Sequence, residues 1–188
     1  MSKPVLSAQP ITAKAMARSA AQVHAFTDAY VFSPTAAKAE AFCREMELEL
    51  GYNFIACASA EDAVRKADVV FTQTPGSKTV LELAWLKPHA TIIASGSDQA
   101  TKQEIPVEVL RNSKVVCDLV RQCAKVGELR SALQAGVMKE ADVYAELGEV
   151  VNGTKPGRSG KDKIVVVDLT GTGAQDAAIG QVAWNTLH

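Results

Sequence analysis

The chain has 188 residues, 47% of them apolar, with 20 basic and 21 acidic side chains and a net charge of −1. That is enough apolar material for one core of ordinary domain size, and no apolar run approaches the ~20 residues of a membrane-spanning helix. The balanced charge offers no cationic field for nucleic acid or anionic lipid, and 5% aromatic residues leave little surface for base stacking.

Residues 1–27 carry Lys3, Lys14 and Arg18 and no acid. The stretch "ITAKAMARSAAQVHAF" nevertheless reads as an ordinary helix rather than a leader, and a cytoplasmic location is expected. "AYVFS" (29–33) is a short buried strand. The helical spacing of 35–50 stops at Gly51. "NFIACA" is a strand, and "SAEDAVRKA" opens with a capping pair, Ser59 and Asp62. "DVVFTQTP" is a strand closed by Pro75, "TVLELAWL" is helical, and "ATIIASG" (90–96) is a strand ending at Gly96. A short helix "VEVLRNS" and a strand "KVVCDLV" follow, then helices around 122–135 and 139–151. A polar surface loop, "NGTKPGRSGKDK", leads to the last strand and helix, "KIVVVDLTGTGAQDAAIGQVAW". Strands that are apolar throughout and alternate with helices predict a parallel sheet covered on both faces. The class is α/β, doubly wound and Rossmann-like.

The last corner looks like a dinucleotide loop, with Gly171 and Gly173 after an apolar strand. A phosphate loop belongs to the first βα turn, with a further strand and an acid ~20 residues on. Here only one helix can follow, so this corner is not the pyrophosphate loop. The true loop should precede "AYVFS", yet residues 1–50 contain no glycine, and backbone amides cradle a pyrophosphate only where no Cβ blocks approach. The first strand and its glycine turn are therefore expected to be missing, and the sheet incomplete at its N-terminal end.

Strand ends supply the candidate site. Asp98 follows Ser95, Gly96 and Ser97 at the carboxyl edge of a strand, where α/β folds bind ligands. It is either a proton-handling carboxylate or a helix cap. Ser33, Thr35 and Lys38 follow the strand expected to meet the adenosine ribose. Two hydroxyls and a cation, with no acid, suit a 2′-phosphate, so NADP is favoured over NAD; Thr35 as a helix cap is the alternative. Thr72, Thr74 and Pro75 lie at another strand end, facing a ligand or simply closing the strand. The four cysteines, Cys43, Cys57, Cys117 and Cys123, form no CxxC pair and have no histidine at ligand spacing. Free thiols and no metal are expected.

Four blocks in order, "TQTPGSK", "ASGSDQATKQEIPVEVLRNSKVVCDLVRQCAKVGEL", "DVYAELGEVVNGTKPGR" and "KIVVVDLTGTGAQDAAIG", together resemble the ornithine cyclodeaminase/mu-crystallin family over about residues 13–187. The resemblance implies a single Rossmann-like NAD(P)-binding domain over 1–188, with an atypical segment at 1–12. It implies that this is the cofactor-binding part of a truncated family architecture, whose other part grips the amino acid and forms homodimers. It further implies NAD or NADP as cofactor and a small amino or imino acid as partner. The reaction would be ornithine to proline plus ammonia, or imino-acid, ketimine or alanine-dehydrogenase-type oxidoreduction, with a non-catalytic binding protein as a further alternative. Gly96, Asp98, Lys102 and Glu104 match the family's Gly-x-Asp-x-x-x-Lys-x-Glu block. Asp98 is thereby the implied catalytic acid and base, and Lys102 the implied partner of the substrate carboxylate. The resemblance also runs the turn of Thr72, Thr74 and Pro75 along the cofactor and places Gly171 and Gly173 near the nicotinamide.

Overall fold

The computed structural model describes residues 4–7, 10–75, 77–160 and 163–187. In chain order the strands are β1 (Pro4–Ser7), β2 (Asp28–Phe32), β3 (Asn53–Ala56), β4 (Val69–Thr72), β5 (Thr91–Ala94), β6 (Lys114–Cys117), β7 (Ala145–Glu146) and β8 (Val165–Asp168). The helices are α1 (Pro10–Val23), α2 (Ala36–Leu50), α3 (Ala60–Lys66), α4 (Val107–Arg111), α5 (Val120–Val126), α6 (Leu129–Gln134), α7 (Leu147–Val151) and α8 (Gly173–Leu187). The eight strands form one sheet in the order β3-β2-β1-β4-β5-β8-β6-β7, with every described pairing parallel. This is the doubly wound architecture expected from the sequence.

Two-sided burial explains why the strands are apolar without alternation. Successive residues point to opposite faces. Tyr30 and Val70 join one cluster, with Ala63, Val64, Ile92 and Leu129. Their neighbours Val31 and Phe71 join the other, with Ala13, Ala17, Phe42 and Met46. Local signals hold at helix ends. Gly51 closes α2 at φ 72°, its amide donating to the Glu47 carbonyl, a conformation that favours glycine. Ser59 caps α3 by accepting the Asp62 amide hydrogen at 3.0 Å.

Three expectations are corrected. First, a first strand exists: Pro4–Ser7 lies between β2 and β4, with Val5 opposite Tyr30 on one side and Val70 on the other. Its turn into α1 passes through Ala8 and Gln9, outside the described residues. Second, "TVLELAWL" is not a helix. Only Leu83–Trp85 makes a 3-10 turn, and Leu81 is drawn into the core. Third, 139–151 is divided, because Ala145–Glu146 pairs with Val116–Cys117 and leaves only Leu147–Val151 helical.

α8 differs from the other long helices: none of its residues is buried. Ile179, Val182, Trp184 and Leu187 stand 60–79% exposed, more apolar surface than a helix packed against a core leaves bare. Among the described residues no helix is long and apolar enough to cross a membrane. This division of the core predicts opposite costs. Met46→Ala should destabilise by about 2–5 kcal/mol, and Val182→Ala by no more than about 0.5 kcal/mol. Urea unfolding of both variants checks this, and a larger loss at Val182 contradicts it.

Candidate active site

The chain runs outward from β1 through β2 to β3, then crosses to β4 on the other side of β1. Strand order reverses between β1 and β4, and α/β folds open a crevice at the carboxyl ends of strands at such a point. Two clefts lie there and meet at Thr74. One is polar, about 170 Å³, lined by Thr12, Gln73, Thr74, Ser95, Gly96, Asp98 and Lys102. The other is apolar, about 280 Å³, with Phe32, Val64, Phe71, Leu81 and Trp85 among its lining and Thr72 and Thr74 at its edge.

Asp98 is exposed and forms an ion pair with Lys102 at 2.7 Å, the lysine side chain being only 18% exposed. The residue heads a turn, not a helix: the Lys102 amide donates to the Gln99 carbonyl at 3.0 Å. The helix-cap reading of Asp98 is thus set aside. Three contacts fix the backbone at Lys102. That turn bond is one. Its carbonyl also accepts from the Ser97 hydroxyl at 3.0 Å and from Arg130 Nη2 at 2.9 Å. Gln73, which nothing in the sequence singles out, is buried and donates Nε2 to the Ser95 hydroxyl at 2.9 Å. Thr12 was likewise not anticipated. It brings the first turn of α1 to the cleft.

Other anticipated residues fall elsewhere. Pro75 is exposed and lines neither cleft. Ser33 accepts the Thr35 amide hydrogen at 3.3 Å; Thr35 occupies the cap position of α2 without a side-chain bond to it. Lys38 points outward, exposed. Gly171 and Gly173 line neither cleft, and a Cβ at either would meet open space. Close packing therefore does not require them. Gly171 is needed for its backbone, at φ 82°. Its amide and that of Thr170 donate to Asp118 Oδ2 at 2.8 and 2.7 Å.

Asp118 is one of four buried carboxylates, with Glu104, Glu128 and Asp168. Glu128 accepts the amide hydrogens of Glu104 and Ile105 at 2.9 Å each and Gln103 Nε2 at 2.7 Å. Burial outweighs these bonds and pushes its carboxyl up to about 8. Asp168, which accepts the Leu129 amide hydrogen at 2.9 Å, is raised by burial to about 6. It is structural, and Gly127 stands where a Cβ would strike its carboxylate. All four cysteines are free. Burial pushes the Cys43 and Cys57 thiols up to about 11, so neither is a reactive nucleophile.

The sequence from 10 to 187 matches the model of the ornithine cyclodeaminase/mu-crystallin family. The chain belongs to that family. A putative dehydrogenase of Rhizobium meliloti is 37% identical over 164 residues, 87% of this chain and 50% of the relative. An archaeal alanine dehydrogenase, solved as a dimer with bound NAD, superposes with a TM-score of 0.89 at 30% identity, over 98% of this chain and 57% of that one. The Δ(1)-pyrroline-2-carboxylate reductase of Thermococcus litoralis, solved with NADH and L-proline, superposes with a TM-score of 0.93 over 98% of this chain and 57% of that one. At 24% identity this last likeness speaks for the fold alone. The chain spans about half the length of the curated relatives it matches.

The buried acids make stability depend on pH. Glu128 stays neutral in the folded chain up to about pH 8, against an ordinary value of 4.5. Between those values the unfolded chain holds fewer protons, so stability falls as pH rises through this window. Asp168 adds to the fall between its ordinary 3.8 and about 6. Thermal unfolding from pH 5 to 8 should show a declining Tm, and Glu128→Gln should remove most of the decline above pH 6. An undiminished slope in the variant contradicts this assignment.

Proposed function

We propose that the whole chain acts as one NAD(P)-binding unit serving interconversion of a small amino acid and its imine, with Asp98 as proton-handling carboxylate. The observation that carries this reading is the Asp98–Lys102 ion pair in a polar cleft beside the strand-order reversal. The two clefts suit the halves of a nicotinamide dinucleotide. The apolar one accepts an adenine ring. The polar one accepts the nicotinamide end, and the N-terminus of α1, which Thr12 brings to the cleft, faces the phosphate between them. The family's dinucleotide-binding neighbours support the same assignment.

A bound nicotinamide would supply or accept hydride at the substrate carbon. The chain's own residues would do the rest. Lys102 offers an ammonium to the substrate carboxylate, which displaces Asp98 from it. Asp98, so released, takes or returns a proton at the substrate nitrogen. Ser95, held by Gln73, and Thr74 orient the nicotinamide end. Ser33, Thr35 and Lys38 stand beyond β2 with no acid among them, which favours the 2′-phosphate of NADP over the ribose hydroxyl of NAD. Gly171 and Gly173 act indirectly, by turning the chain out of β8. The substrate reading extends from ornithine cyclisation with loss of ammonia to reduction of a cyclic imino acid or of a keto acid plus amine. A second reading, an inactive remnant without a complete cofactor site, is favoured by one specific observation: residues 1–50 hold no glycine for the phosphate turn.

Two measurements test this. Isothermal titration of the 188-residue chain with NAD+ and NADPH should give binding weaker than micromolar, the NADPH binding being the tighter; micromolar affinity would contradict the weight given to the missing glycines. Asp98→Asn should slow reductive amination of keto acids by about 10²–10⁴-fold while leaving NADPH affinity within about threefold. An equal loss in both would make Asp98 a cofactor ligand instead.

A further inference from the structure

Glu104 lies behind the polar cleft and touches both of its walls. It is fully buried, two residues beyond Lys102. Its Oε1 accepts the amide hydrogen of Thr74 at 2.5 Å, on the β4 side. On the β5 side its carboxylate packs against Gly96 so closely that a Cβ there would overlap both oxygens. Its own backbone is clamped from the opposite direction. Its amide donates to both oxygens of Glu128, at 2.9 and 3.2 Å, and its carbonyl accepts from the Val80 amide at 2.9 Å. Oε2 has no hydrogen-bond partner among the described residues. Leaving a buried carboxylate oxygen unpaired is costly, and the fold accepts that cost where the loops after β4 and β5 meet.

We infer that Glu104 is a positioning residue: it sets the spacing of Thr74 and Gly96, and so the width of the cleft that holds Asp98 and Lys102. It acts through these neighbours and touches neither cofactor nor substrate. The inference rests on reading that cleft as the nicotinamide end of the site. A side chain one methylene shorter falls short of the Thr74 amide from the same backbone position. A glutamine can, since it keeps an acceptor oxygen at the same reach. Alanine at 96 would press on the carboxylate from the other wall and shift it. The adenine pocket, closed by Phe32, Val64 and Trp85, does not depend on Glu104.

The test uses the full chain and two ligands, AMP, which fills only the apolar pocket, and NADH, which fills both clefts. Glu104→Asp should bind AMP within about twofold of the parent but lose about tenfold in NADH affinity, the scale of effect expected from misplaced site groups. It should also lose the fluorescence enhancement of the nicotinamide. Glu104→Gln should restore most of both. A purely structural role would weaken both ligands together and lower the Tm, and that result overturns the inference; so does unchanged NADH affinity in Glu104→Asp. If that variant does not fold, Gly96→Ala is measured with the same two outcomes. If the parent binds neither ligand, the cofactor reading fails, and amide hydrogen exchange then decides the role of Glu104. Exchange at Thr74 at least about tenfold faster in Glu104→Asp, with Val31 unchanged, supports it; unaltered exchange at Thr74 overturns it.

Discussion

Backbone amides that leave a parallel sheet at its carboxyl edge have lost their ladder partners, yet many remain buried and must be satisfied. In this chain carboxylates do that work. Glu104 takes the amide of Thr74, Glu128 those of Glu104 and Ile105, Asp168 that of Leu129, and Asp118 those of Thr170 and Gly171. The loops after β4, β5 and β8 are each tied to one of them. The arrangement is a compromise between hydrogen bonding, which favours the charged form, and burial, which opposes it. For Glu128 and Asp168 burial wins. Both belong to the scaffold, and the exposed Asp98, paired with the half-buried Lys102, stands on the rim above them.

What could be read from the sequence follows from how each feature is encoded. β2, β4, β5 and β8 are buried on both faces, and that demand writes itself as unbroken apolar runs. Gly51 and Ser59 encode helix ends through their own backbone and side chain, so both were legible. β1 was not. Four residues beginning with a proline carry no strand signal, and Pro4–Ser7 becomes a strand because β2 and β4 offer it two ladders. Tertiary pairing also divided 139–151, and burial of Leu81 overrode the helical spacing around it.

The site was legible to the same extent. Asp98, Gly96 and Thr74 sit at strand ends, where position along the chain already implies the carboxyl edge of the sheet, and family resemblance added Lys102. Gln73, Thr12 and the role of Glu104 were not legible, because each depends on a contact across 22 residues or more that no local pattern records. Gly171 and Gly173 drew attention through their spacing, but the fold uses Gly171 for a left-handed turn and keeps both out of the two clefts.

The proposed function places the nicotinamide end of a dinucleotide in the cleft of Asp98 and Lys102. Amide chemical shifts followed by NMR during titration with NADPH test it most directly. The largest changes are expected at Thr74, Ser95, Gly96 and Lys102, with a second group around Phe32 and Trp85. Changes confined to the opposite edge of the sheet, near Arg158 and Lys114, or none at all at saturating ligand, would contradict it.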